Sequence, residues 1–303
     1  MSSINTNPSA ITALQSLRNT QNSLSVAQKQ ISTGLKISSA SDNASTWSIA
    51  ETMKSDQGVM STLSDALNFA GSTLNVAANA VKGAISVMNS IKEAVYQAQT
   101  PGADLNKIGT NLKQLGESLS SYVSSATMNG INILDGSTTT TVAGGAALGV
   151  NFTASYTNHA GTAASSVGFI SLATTDLTNT GGTGILQSAT AVGSTATTNF
   201  TSLSAADVAA GTVADTLSNA DLVIANLTTY AAQIGAVQSR VASQATFVQS
   251  LNDALTQGVS SLVDADMNQV STRLQALQTQ QQLGVQSLSI ANQNSQLILK
   301  LFQ

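Results

Sequence analysis

The chain has 303 residues, of which 42% are hydrophobic and 4% aromatic, so long, narrow helical packing is expected rather than a broad globular core. It contains no cysteine, which excludes disulfides and thiolate metal sites. Among its 11 basic and 15 acidic residues, no Lys or Arg lies between Lys113 and Arg240, which argues against a nucleic-acid partner. No apolar run approaches the roughly 18 residues of a membrane span.

The N-terminal segment has the pattern of an amphipathic helix. Its apolar residues fall at spacings of three, four or seven: Ala10, Leu14, Leu17, Leu24, Ile31 and Leu35. Residues 1–41 contain no Asp or Glu, which suits a crowded assembly because an unpaired buried charge is costly there. The first residues lack a basic stretch followed by a continuous apolar run, so a cleaved signal peptide is not expected.

Three long helices are predicted for the middle of the chain. The first begins after Asp42, our expected cap, and ends at Pro101-Gly102. Its seven-residue repeat consists of Met53, Met60, Leu67, Leu74, Val81, Met88 and Val95. The second begins near Asp104, with Leu105, Ile108, Leu112, Leu115, Leu119 and Tyr122 on one face, and the third begins near Asp215. We therefore expect a three-rod helical bundle over 45–134 and 207–262.

Residues 135–206 differ in kind from the rest of the chain. Thr, Gly, Ala and Ser dominate, helical periodicity disappears, and alternation appears from Val150 to Tyr156. This pattern predicts short strands and turns in a variable, surface-exposed insertion, with partial disorder as the alternative. The one histidine, His159, has no second His or Cys near it, so a lone surface side chain is expected rather than a metal ligand.

The C-terminal segment repeats the features of the N-terminal one. Residues 267–303 again lack Asp and Glu, and a heptad seam runs through Val263, Met267, Val270, Leu274, Leu277, Gln281, Gly284, Leu288, Ala291, Ser295, Ile298 and Phe302. A second line through Leu283, Ile290 and Leu297 predicts more than one neighbouring helix. We expect 1–34 and 263–303 to pair as a coiled coil and to act as a self-assembly interface, with these central residues: Leu14, Leu17, Leu24, Ile31, Leu274, Leu277, Leu288, Ile298 and Phe302.

The fold class expected is therefore mainly α: a long coiled-coil helical bundle made by both termini, with a small β-rich Thr/Gly/Ser insertion in the middle. No catalytic constellation, metal set or Gly-rich phosphate loop occurs, so neither enzymatic activity nor a cofactor is expected.

Two stretches resemble bacterial flagellins. Residues 32–50, STGLKISSASDNASTWSIA, resemble the joint between the N-terminal helix and the first rod helix, and VDADM at 263–267 with LQTQQQL at 277–283 and LSIANQ at 288–293 resembles the C-terminus. The resemblance covers roughly 130 N-terminal and 90 C-terminal residues. It implies a spoke linker over 35–44, and the predicted spoke residues are Gly34, Leu35, Ala40, Asp42 and Asn43. The run from Trp47 to Ala50 suggests an alphaproteobacterial member.

The family resemblance implies a structural subunit that polymerises into the filament for swimming motility. The terminal helices would form an inner tube, and the protein would be extracellular, exported without a cleaved signal peptide. Implied partners are further copies of itself, an export chaperone, the flagellar type III apparatus, and hook-associated and cap proteins. Two alternatives stay open: a hook-filament junction protein of the same superfamily, and a secreted coiled-coil effector or adhesin.

Flagellins of some bacterial groups present a patch on the first rod helix to an innate-immune receptor. The corresponding residues here are Ser90, Lys92, Glu93, Ala94 and Gln97. Glu93 and Gln97 match the pattern, whereas Ser90 and Ala94 stand where receptor-active members have Arg and Leu. Since a charge-assisted contact and an apolar contact would both be lost, the resemblance implies a poor agonist.

Overall fold

The computed structural model describes residues 7–135, 149–157, 166–173, 176–178, 184–194, 196–209 and 211–301, with side chains in the last helix described as far as residue 293. The protein is mainly helical, as predicted. Its helices are α1 (Pro8–Thr33), α2 (Ala44–Ala98), α3 (Leu105–Ser124), α4 (Val213–Val263) and α5 (Met267–Leu301). Its strands are β1 (Thr127–Met128), β2 (Ile131–Asn132), β3 (Gly149–Thr157) and β4 (Ser166–Ala173), and a short 3-10 helix spans Ala205–Val208.

The chain divides into two compact units. The terminal unit comprises Met1–Gly58 and Asn252–Gln303, and the rod unit comprises Val59–Leu251. Helices α2 and α4 contribute to both units, because each runs past the dividing residues.

In the terminal unit, α1 and α5 pack side by side in opposite directions. Asn7 caps α1 by accepting from the Ala10 N–H at 3.1 Å, and its side-chain amide donates to the Ala291 carbonyl at 2.9 Å. At the other end of the pair, the Ala265 N–H donates to the Gly34 carbonyl at 2.9 Å. Between these points the buried residues are Ala27, Val270 and Leu277, against which Leu24, Ile31 and Leu274 pack. The two terminal helices therefore form one antiparallel pair.

The rod unit is built on the heptad repeat of α2. The seam from Met60 to Val95 is buried throughout, and Leu74, Val81, Met88 and Val95 have no exposed surface. Helix α4 runs antiparallel to α2: Lys92 pairs with Asp221, and the Gln238 side chain donates to Asn75 at 3.0 Å. The predicted period thus places the long apolar stripe of α2 in the core.

Helix α3 begins at its cap Asp104, whose carboxylate accepts from the N–H groups of Asn106 and Lys107. Leu112 and Leu119 of its predicted apolar face are fully buried, as is Val123, whereas Tyr122 is 47% exposed. The Tyr122 ring lies over Gly83 of α2, where an added Cβ would fall 2.8 Å from it. A phenol hydroxyl can reach water at the helix edge, whereas Val123 has no polar atom to satisfy.

The insertion contains strands and turns, as predicted. Strands β3 and β4 pair antiparallel with a register shift between Thr153 and Ser155. Their buried face consists of Val150, Phe152, Ala154, Ile170 and Leu172. The loop that follows is fixed by the buried Asn219 of α4, which accepts from the Ala191 N–H and donates to the Ala196 carbonyl. His159 lies outside the described residues.

Candidate self-assembly surface

Two non-helical segments of the terminal unit lie against each other: residues 34–43 between α1 and α2, and residues 264–266 between α4 and α5. We call the two segments together the joint. Gly34 ends α1 with φ of +72°, a left-handed conformation that glycine adopts readily, and its N–H donates to the Gln30 carbonyl. Leu35 then forms an isolated antiparallel bridge with Asp264. The Lys36 N–H donates to the Val263 carbonyl at 2.6 Å. Backbone hydrogen bonds therefore connect the N-terminal segment of the joint to its C-terminal segment.

A buried cluster lies beside this bridge. It consists of Ile37, Ala50, Val259 and Val263, with Leu35, Trp47, Met53 and Leu262 packed against it. Of the predicted spoke residues, Gly34 and Leu35 thus belong to the joint's backbone bridge, whereas Ala40 is exposed in the turn that follows.

Asp42 organises that turn but does not cap α2, so this prediction is wrong. Its carboxylate accepts from the backbone N–H and hydroxyl groups of Ser38 and Ser39 at 3.0 to 3.1 Å, with Lys29 Nζ at 3.4 Å. The hydrogen bond from the Ser38 N–H is the largest cause that lowers the pKa of Asp42 to about 2. Asn43 is the cap, since its Oδ1 accepts from the Thr46 N–H at 3.1 Å.

Carboxylates also stabilise the C-terminal segment of the joint, residues 264–266. Asp266 caps α5 by accepting from the N–H groups of Asn268 and Gln269 at 3.0 and 3.2 Å, and Asp264 accepts from the Ser260 hydroxyl. Both carboxylates therefore serve local structure at the joint.

The burial of the α1–α5 pair decreases with distance from the joint. Ala27, Val270 and Leu277 are buried, whereas Leu14 is 37% exposed and Ile11 is 59% exposed. Leu17 contacts α5 at Gly284, where an added Cβ would lie 3.2 Å from Leu17 Cδ1, and Leu288 is half-buried. Ile298 and Phe302 lie outside the residues whose side chains the structure describes.

The second apolar line of α5 is uncovered at its described positions. Leu283 is 56% exposed and Ile290 is 62% exposed. They form one wall of a groove of about 1000 Å³ between α1 and α5, and the other wall carries the hydroxyl side chains of Thr12, Ser16 and Thr20. Contiguous apolar surface of this kind, edged by polar groups, is typical of a protein–protein contact.

Sequence reasoning did not find every exposed apolar residue of this surface. Ile11, Val26 and Val285 lie off the predicted seams and are more than half exposed. The bridge between Leu35 and Asp264 was also missed. The available signal was that a helix ends at Gly34 near one terminus and another ends at VDADM near the other terminus.

The predicted receptor patch lies on α2 in the rod unit. Ser90, Glu93 and Gln97 are exposed, Ala94 is buried, and Lys92 is half-buried. Lys92 Nζ lies 2.5 Å from Asp221 Oδ1, and this hydrogen bond raises the pKa of Lys92. The patch is therefore divided between three accessible side chains and two that serve the rod unit.

Within the described ranges, no group of three or more His, Cys, Asp or Glu residues is placed to hold a metal ion. Across the same ranges, no helix combines the length and apolar character needed to cross a membrane.

Comparison with known proteins agrees with these features. The family model for the bacterial flagellin N-terminal helical region matches residues 4–139, and that for the C-terminal helical region matches residues 217–302. The chain is 41% identical to a flagellin of Brucella melitensis and 38% identical to Flagellin C of Rhizobium meliloti, each over the full length of both chains. Flagellin FljM of Caulobacter vibrioides is 35% identical over all of this chain and 99% of its own. These are alphaproteobacteria, and the chain belongs to the bacterial flagellin family, as a structural subunit of the flagellar filament.

Proposed function

We propose that this flagellin polymerises through its terminal unit, with the uncovered faces of α1 and α5 as the contact between copies. The observation that carries the proposal is the exposure of four large apolar side chains on a paired helix surface: Ile11, Leu14, Leu283 and Ile290. Fully burying such a side chain contributes about 1.5 to 3 kcal/mol, so covering these half-exposed residues contributes on the order of 3 to 6 kcal/mol per subunit. That is enough to drive association when many contacts repeat along a filament.

The polar composition of the same helices supports this proposal. Helices α1 and α5 carry no carboxylate, and amide side chains such as Gln278, Gln280 and Gln282 occupy exposed positions. A subunit whose helices are surrounded by identical helices avoids repulsion between repeated like charges in this way. The groove beside Leu283 and Ile290 offers a shape into which an apolar edge of another copy would pack.

The proposal extends to secretion and to partners. We infer export in an unfolded state through the flagellar type III apparatus, with an export chaperone and without a cleaved signal peptide, and contact with hook-associated and cap proteins at the ends of the filament. The absence of cysteine supports this route, because no disulfide would hinder unfolding. The work of the protein would be mechanical, with no catalytic step and no cofactor.

We further propose that the protein is a poor agonist of the innate-immune receptor that reads α2 of other flagellins. Ser90 supplies no charge where an Arg would, and Ala94 is only 4% exposed, so it offers almost no apolar contact. A reporter-cell assay tests this, with Ser90→Arg as the variant expected to gain response. A full-strength response to the unaltered protein would overturn the proposal.

Negative-stain electron microscopy tests the main proposal. Purified full-length protein is induced to polymerise with salt or seeds, beside a version that lacks residues 1–35 and 267–303. Long uniform tubes from the full-length chain alone would support polymerisation through the terminal unit. Short caps would favour the junction protein, and no polymer at all would favour the secreted effector or adhesin.

A further inference from the structure

We propose that Arg18 of α1 pairs with a carboxylate of a second copy of this chain, and that this ion pair fixes the register in which copies stack. The inference rests on the polymerisation proposed above and adds one specific contact to it.

Arg18 belongs to the uncovered face of α1. Ile11, Leu14 and Arg18 are spaced by three and four residues, so they share one side of the helix. Ile11 and Leu14 are exposed to 59% and 37%, and Arg18 is exposed beside them. A neighbouring copy that covers the two apolar side chains also covers the Arg18 guanidinium, because all three lie on the same face. Assembly therefore removes Arg18 from solvent.

Arg18 has no carboxylate partner among the residues that the structure describes. No ion pair of Arg18 occurs among the described residues, and neither α1 nor α5 contains an Asp or Glu that could swing towards it. Lys29, the other cation of α1, differs in this respect because it pairs with Asp42. A guanidinium that is covered without a carboxylate is strongly unfavourable, so the covering copy must supply one.

The carboxylates of the terminal unit are concentrated at the opposite end of the helix pair. They lie only at 42–56 and 253–266, in the joint and in the adjoining parts of α2 and α4. Asp42, Asp264 and Asp266 already hold the joint through hydrogen bonds. Glu51 takes no part in those hydrogen bonds, and its side chain is 56% exposed with only a 4.0 Å contact to Lys54.

Cations on the helix pair and anions at the joint make the unit complementary to a copy of itself that is shifted along the helix axis. Such a shift places the joint of one copy against the α1 face of the next, which satisfies Arg18 and covers Ile11 and Leu14 in the same contact. An in-register side-by-side arrangement would instead bring Arg18 towards the acid-free helices of its neighbour. The charge pattern therefore favours the shifted stacking.

The test measures the critical concentration for seeded polymerisation by sedimentation of the full-length protein. Relative to the unaltered chain, Arg18→Lys should raise it less than about threefold, Arg18→Gln about tenfold and Arg18→Glu more than about a hundredfold. Lys82→Glu is the matched control, since Lys82 is an exposed cation of α2 in the rod unit with no ion pair among the described residues, and it should change the value less than about twofold. Circular dichroism of each monomer checks that helix content is retained.

Rescue tests Glu51 as the partner. Arg18→Glu is combined in one chain with Glu51→Arg, so that the pair re-forms with its charges exchanged. This combination should return the critical concentration to within about tenfold of the unaltered value. If Arg18→Glu polymerises like the unaltered chain, or if the combination does not restore assembly, the inference is overturned while the proposed polymerisation stands. Failure of the unaltered chain to polymerise would overturn both.

Discussion

Replacing Leu283 by Ala tests whether the exposed apolar line of α5, as distinct from the seam that faces α1, becomes buried on assembly. The change removes three side-chain carbons, worth about 0.8 kcal/mol each, or about 2.4 kcal/mol for a fully buried site. Leu283 is 56% exposed in the single chain, so assembly accounts for about 1.3 kcal/mol of that amount. At about 1.4 kcal/mol per factor of ten, the critical concentration should rise roughly ninefold.

The assay is sedimentation of seeded polymer over a range of protein concentrations. Gln282→Ala provides the control, since it shortens an exposed polar side chain on the adjacent position of the same helix. Thermal unfolding of the rod unit should be the same for both variants and the unaltered chain, because residue 283 lies in the terminal unit. A critical concentration for Leu283→Ala equal to that of Gln282→Ala would refute the reasoning, since it would show that the stripe stays in water after assembly.

Three further changes have defined outcomes. Leu288→Asp should abolish assembly by placing an unpaired charge in the helix contact, and normal filaments under the microscope would contradict the position given to α5. Asp42 has a pKa of about 2, lowered from 3.8, so its hydrogen bonds stabilise the joint fully above pH 3.8 and are lost as the pH falls towards 2. Acid titration followed by circular dichroism should show a loss of stability in that pH window, and Asp42→Asn should lack it. Gly116→Ala should destabilise the rod unit by about 1 to 3 kcal/mol in urea unfolding, because the new Cβ would lie 2.8 Å from the Phe200 carbonyl oxygen, whereas Gly71→Ala meets nothing within 4 Å and should stabilise it by up to about 1 kcal/mol.

The long helices could be predicted because their information is local and repeated. The seam of α2 recurs every seven residues from Met53 to Val95, and a period sustained over that length has no competing interpretation. Single positions were less predictable. Asp42 and Asn43 are adjacent and both can cap a helix, so only the turn at Ser38 and Ser39, which takes the Asp42 carboxylate, decides between them.

The candidate site was predictable in its apolar part and not in its backbone part. Leu283 and Ile290 lie on a second line that heptad counting separates from the α1-facing seam, and their exposure agrees with it. The bridge between Leu35 and Asp264 joins residues far apart in sequence through N–H and C=O groups that every residue carries, so no side-chain pattern encodes it. The close approach of Phe200 to Gly116 is equally non-local.

The joint can form only when residues from both ends of the chain are present. Its two halves are separated by 229 residues, from Leu35 to Asp264, and closing a flexible loop of that size costs on the order of 5 kcal/mol in chain entropy. Contacts between α2 and α4 lower that cost: Lys92 pairs with Asp221, and the Gln238 side chain donates to Asn75. A chain that emerges N-terminus first therefore cannot complete the contact surface until its last helix has emerged, and a prematurely ended copy lacks the half that would admit it to the polymer.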